Sequence, residues 1–122
     1  TWEYDDNNQE ITSLYNINGE LRIRIKTIKD SKNRITEQSY INNRNEYKEL
    51  ERGYSGEIFE YYDEENKKIV SFIDSKGEAC NNKDGFARRI SWYDNFGRLV
   101  AQKDVTIDGN IKTAICFIVT LK

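Results

Sequence analysis

The feature that most constrains this chain is a turn pattern, Asp or Asn followed three residues later by Gly or Asn. It occurs as DDNN at 5, NING at 16, DSKN at 30, NNRN at 42, DEEN at 63, DSKG at 74, NKDG at 82 and DNFG at 94. The residue types have a physical reason. A side-chain oxygen at the first position accepts a backbone N–H two residues on, which favours a type I turn. The fourth residue of the common hairpin form takes a left-handed conformation, open to Gly and tolerated by Asn. The turns pair as 5 and 16, 30 and 42, and 63 and 74, with 94 followed by TIDG at 106, so each pair is 11 or 12 residues apart. Removing the turn leaves about seven or eight residues, the length of an ordinary strand. Turn chemistry at that interval indicates antiparallel β-structure.

The segments between the turns agree. LRIRIK (21–26) alternates apolar and basic residues with period two, and RITEQSYI (34–41), EIFEYY (57–62), KIVSFI (68–73), ARRISWY (87–93) and RLVAQKDV (98–105) are rich in β-branched and aromatic residues. NEYKELER (45–52) is the best candidate for a short helical turn, and no convincing helix is present. The expected fold is all-β, about nine antiparallel strands in consecutive hairpins forming one twisted meandering sheet. A small sandwich or barrel made by closing the meander is the alternative.

A longer unit of 31 to 33 residues overlies the turns, with Asp30, Asp63 and Asp94 as phase markers. YINNRNE (40–46) aligns with FIDSKGE (72–78), and RGYSGEIFEYYD (52–63) with DGFARRISWYD (84–94). The chain therefore reads as a single β-repeat domain over 1–122, with units at about 1–27, 28–59, 60–90 and 91–122. Its first unit is a shortened copy. Units of this length stack as quasi-linear arrays. In the tail IKTAICFIVTLK (111–122), apolar residues fall on both strand faces. Such a strand needs cover on both sides, so it either lies centrally or opens into a following element.

The series FIDSKGEACNNKDGFARRISWYDNFGRLV resembles the Tyr-Asp repeats of large bacterial surface and secreted proteins. It is more loosely similar to MORN-type and tryptophan-glycine hairpin repeats. The matching pieces are Asp74-Ser75-Lys76-Gly77, Asp84-Gly85-Phe86-Ala87 and Tyr93-Asp94-Asn95-Phe96-Gly97-Arg98. The resemblance is clear over 60–110, fair over 28–59 and faint before that, and Asn replaces the usual Gly at 8, 33, 45 and 66. It implies a meandering sheet used as an extended scaffold or interaction surface in a larger protein, without catalytic residues, and it favours a secreted or cell-surface location.

Composition narrows the function. With 19 basic and 21 acidic residues the net charge is −2, not the basic field of a nucleic-acid binder. The chain has no His, which excludes Ser-His-Asp and Cys-His catalysis, and with only two Cys it has no zinc set. DDNNQE at 5 and DEENKK at 63 lack the glycine and spacing of a calcium loop. No apolar run reaches a membrane span. No cofactor is expected. A start at Thr1, with no Met anywhere, reads as a processed or excised piece. Cys80 and Cys116 are either one bridge or two buried thiols.

Aromatic residues that recur at one phase, such as Tyr4, Tyr62 and Tyr93, read as cross-strand packers. Those that break the phase are the binding candidates. Trp92 stands where other copies carry Tyr61 and Glu3, and Phe96 occupies a turn tip where they carry Asn7, Lys32 and Glu65. Trp2 is similarly unmatched. Trp92, Phe96, Trp2 and Tyr61 are the expected binding residues, for a protein or glycan partner, in a non-enzymatic scaffold or interaction module. The alternatives are a small inhibitor or immunity-type protein, and a carbohydrate-binding module with Trp92 coplanar with another exposed ring.

Overall fold

The computed structural model describes residues 2–4, 9–15, 17–48 and 53–116, with the backbone alone at 2–4, 21 and 22. Nine strands follow in chain order: β1 (Trp2–Tyr4), β2 (Gln9–Tyr15), β3 (Leu21–Lys29), β4 (Ile35–Ile41), β5 (Gly56–Tyr62), β6 (Lys67–Ile73), β7 (Arg88–Tyr93), β8 (Leu99–Val105) and β9 (Ile111–Cys116). They form one sheet in the order β1 to β9, every pair antiparallel. The sheet is an open meander, and the sandwich or barrel alternative is not adopted.

The turns work as the residue types require. The Asp30 carboxylate accepts the N–H groups of Lys32 and Arg34, both at 2.9 Å, and Asn33 takes φ +64°. Asn42, Asp74, Asn82 and Asp94 accept the same two N–H groups in their own turns, and the Thr106 hydroxyl accepts the N–H of Asn110. The five-residue turns carry one residue more than the ladder needs. The register shifts beside them, at Leu14/Tyr15, Ile28/Lys29, Trp92/Tyr93 and Asp104/Val105. The turn at 63 differs. Tyr62 pairs directly with Lys67, so only four residues close the hairpin, as a 3-10 turn over Asp63–Glu65 with Asn66 at φ +50°. The turn at 5–8 lies outside the described residues.

The repeat appears as a set of hydrogen bonds recurring 32 residues on. Tyr40 N–H to Ser55 O becomes Phe72 N–H to Ala87 O; Lys48 to Tyr40 becomes Cys80 to Phe72; Ser55 to Ile73 becomes Ala87 to Val105. Buried positions follow the same interval: Ile41, Ile73 and Val105, then Tyr54 and Phe86, then Ser55 and Ala87. These residues gather at one end of the sheet, where the loops after β4 and β6 fold back. Tyr54 and Phe86 flank Phe72 with ring centroids 4.8 and 5.6 Å away, packed with Val70 and Cys80. Burying rings of this size stabilises by roughly 2–3 kcal/mol each, and this cluster is the nearest thing to a core that a single-layer sheet builds.

The structure bears on three points that the sequence left open. The helical candidate at 45–52 is not helical where described: Asn45 is left-handed at φ +63°, Tyr47 bridges Ile41, and 49–52 lie outside the described residues. β9 pairs with β8 alone among the described strands and all six of its residues are exposed, so it is not central in the described sheet; 117–122 lie outside the described residues. Cys80 and Cys116 are free thiols, not a bridge, and Cys116 is exposed rather than buried.

Candidate functional site: the turn end of the sheet

The opposite end of the sheet carries the turns at 30–34, 63–66 and 94–98 side by side, so the phase markers Asp30, Asp63 and Asp94 form a row. The first gap in this row is locked. Arg34 donates from Nη1 to both Asp63 oxygens at 2.8 and 3.0 Å and from Nε to Asp30 at 3.0 Å, while Lys32 Nζ lies 3.1 Å from Asp63. The hydrogen bonds from Lys32 and then Arg34 hold the Asp63 carboxyl below its usual range, and the Arg34 N–H does the same for Asp30.

The second gap is open. Asn66 reaches the next turn with one amide bond, Nδ2 to Asn95 Oδ1 at 3.0 Å, and its carbonyl accepts the Tyr93 N–H at 2.8 Å. The nearby cations are held elsewhere: Lys67 pairs with Glu65 at 2.8 Å, and Arg98 with Asp94 at 2.7 Å inside its own turn. What remains is a groove of about 380 Å³ lined by Tyr61, Tyr62, Lys67, Lys68, Tyr93 and Asn95, among others. Lys68 lies 5.2 Å from the Phe59 ring and 5.8 Å from the Tyr61 ring and makes no ion pair with a described residue. The Tyr93 hydroxyl has no hydrogen-bond partner among the described residues.

The four sequence candidates do not form one site. Trp92 is half-buried on β7, opposite Lys67 and Ala101, so the row Tyr62–Lys67–Trp92–Ala101 runs along one face. Tyr61 faces the other side, because it pairs with Lys68 and Lys68 with Ser91. The same-face ring nearest in register to Trp92 is Tyr62, with Lys67 on the strand between them and its ammonium 4.8 Å from the Tyr62 ring. Tyr61 is a strut: its hydroxyl donates to Ile35 O at 2.6 Å, Arg34 stacks at 4.4 Å, and burial pushes its pKa up. Phe96 is 77 % exposed at its turn tip, with only Arg98 near, 5.3 Å from the ring. The Trp2 backbone pairs with Thr12, and its side chain lies outside the described residues. Sequence reasoning passed over Tyr93 and Lys68. Recurrence placed Tyr93 with the scaffold, although a ring can recur and still leave its hydroxyl free.

A second groove, of about 370 Å³, lies over the Tyr54–Phe72–Phe86 cluster. Its main polar groups are already committed. Arg89 makes two hydrogen bonds to the buried Asp104, at 2.8 and 3.1 Å, which raise its pKa, and Tyr54 donates to Glu57 at 2.9 Å. Asp63 and Asp94, which line the first groove, have carboxyl pKa values lowered by their hydrogen bonds, so they stay ionised and cannot serve as acids at neutral pH. Among the described residues no group of three or more Asp, Glu or Cys could hold a metal, and no helix is long and apolar enough to cross a membrane. Compared with protein-family models, with curated proteins and with solved structures, the chain matches none of them.

Proposed function

We propose that the chain is a non-catalytic interaction module, a Tyr-Asp-type repeat scaffold within a larger bacterial protein, that binds a protein or glycan through one face of its sheet. The observation that carries this reading is the face bearing Tyr62, Lys67, Trp92 and Ala101. All nine strands belong to one layer, and the described residues contain no second sheet and no helix beyond a three-residue turn to cover that face. Trp92 is partly exposed and held between paired neighbours on β6 and β8, Lys67 and Ala101, so its backbone is already ordered. Large rigid rings at such positions commonly carry most of a binding energy. Phe96, projecting from the adjacent tip, extends the surface beyond the sheet.

The test probes arrays of immobilised glycans and peptides with the chain and with Trp92→Ala. The expected result is ligands captured by the parent and lost by Trp92→Ala, with an unchanged β-sheet circular dichroism spectrum. Capture that survives both Trp92→Ala and Phe96→Ser contradicts the proposal, as does turnover of any captured ligand.

A further inference from the structure

We infer that the groove between the turns at 63–66 and 94–98 is a binding site for an acidic sugar, a pyranose bearing a carboxylate. The inference rests on reading the chain as a binding module and assigns a ligand class to one site on it. Among the described turns at this end, the groove is where the repeat leaves its inter-turn gap unfilled. In the first gap Arg34 and Lys32 place two cations on Asp63, whereas in the second the link is the Asn66–Asn95 amide bond beside the backbone bond from Tyr93 N–H to Asn66 O, with no ion pair among the described residues. Its volume of about 380 Å³ falls within the roughly 300–1,000 Å³ of small-ligand sites.

The lining decides the chemistry. Most of its charges are neutralised: Asp63 by Lys32 and Arg34, Asp94 by Arg98, and Lys67 by Glu65. Lys68 is left as the ammonium without an ion pair among the described residues, so the groove selects one negative charge. Tyr61 and Tyr93, which the register places on the same face as Lys68, supply apolar ring surface for the C–H face of a pyranose. The Tyr93 hydroxyl and the Asn66 and Asn95 amides supply donors and acceptors for sugar hydroxyls. An extended acidic peptide fits less well. β6 and β7 are already paired on both sides, so no free strand edge is there to receive its backbone.

The experiment titrates the full chain with a glucuronic acid-containing disaccharide at physiological salt, following backbone amide shifts and the heat of binding. Saturable shifts confined to 66–68 and 93–97 are expected. Lys68→Gln should weaken binding about tenfold or more, the worth of one charge-assisted hydrogen bond, and Tyr93→Phe by a smaller factor. A neutral disaccharide of equal size should bind about tenfold more weakly. Lys76→Gln, in a turn at the opposite end, makes the same change in net charge and should have no effect. The assignment is overturned by the absence of saturable shifts at those amides, by equal losses in Lys68→Gln and Lys76→Gln, or by equal affinity for the neutral sugar. It is also overturned if a Glu-rich peptide shifts the same amides as strongly. If the titration fails while array capture still depends on Trp92, only the groove assignment falls; if both fail, the module reading falls with it.

Discussion

The two ends of this sheet share one turn chemistry, varied at 63, and do different work. At the loop end the repeat closes on itself: Ile41, Ile73 and Val105 are buried at a fixed interval, Tyr54 and Phe86 cover Phe72, and Arg89 is spent on Asp104. The turn end keeps its turns in water, linked by ion pairs in the first gap and by one amide bond in the second. Closely similar turn chemistry thus yields stability where side chains converge and, at the four-residue turn at 63, an unfilled groove. Substitutions at the loop end should move folding free energy, and those at the turn end should move binding.

The largest expected effect is at the loop end. Phe72→Ala removes the central ring of the aromatic cluster and should cost about 3 kcal/mol in urea unfolding; a cost below about 1 kcal/mol would deny that this cluster is the core. Gly56→Ala comes next. A Cβ there would sit 2.6 Å from Ser39 Oγ and 3.0 Å from Ser39 Cα on the paired strand, with Ser39 fully buried. Overpacking of this kind costs roughly 1–3 kcal/mol, and an unchanged melting temperature would mean that β4 and β5 pair less closely than described.

A smaller effect of opposite sign is expected at Ser55. Its hydroxyl is buried without a hydrogen-bond partner among the described residues, and its counterpart 32 residues on is Ala87. Ser55→Ala should stabilise by about 1 kcal/mol, the cost of an unsatisfied buried hydroxyl; destabilisation would reveal a partner for that group.

How much of this was legible follows from particular residues. Asp30, Asp74 and Asp94 disclosed the turns because their carboxylates act within five residues of themselves, so their role depends on nothing distant. The strands followed for the same reason. The open groove was not legible. It depends on the hairpin at 63 closing with a Tyr62–Lys67 pair, which puts Asn66 rather than an arginine against the next turn. Tyr61 looked like a counterpart of Trp92, but pairing register places them on opposite faces, and a one-residue offset reverses a side chain's direction. Of the two readings of the tail, the central one does not hold for the described strands, since β9 pairs with β8 alone among them.

The smallest effects lie at the turn end. Asp94→Asn keeps the side-chain oxygen that accepts the turn N–H groups, as Asn42 and Asn82 do in theirs, and removes only the ion pair with Arg98. Exposed pairs of this kind contribute little, so the cost at pH 7 should be slight. The acid response should change more visibly. Asp30, Asp63 and Asp94 have carboxyl pKa values lowered by folding, so their stabilisation is present above the ordinary carboxyl value near 4 and is lost as pH falls through the lowered values. Urea melts between pH 7 and pH 2 should show stability falling at the acid end, less steeply in Asp94→Asn; parallel curves would mean that Asp94 is unperturbed.

The most direct measurement pairs one substitution from each end. Phe86→Leu and Lys68→Gln are compared for unfolding free energy and for affinity toward the uronic acid disaccharide. Phe86→Leu should lower stability and leave the affinity of the folded protein unchanged, while Lys68→Gln should lower affinity about tenfold and leave stability unchanged. If both substitutions move the same quantity, the division of the sheet into an end that holds the fold and an end that recognises a ligand is wrong.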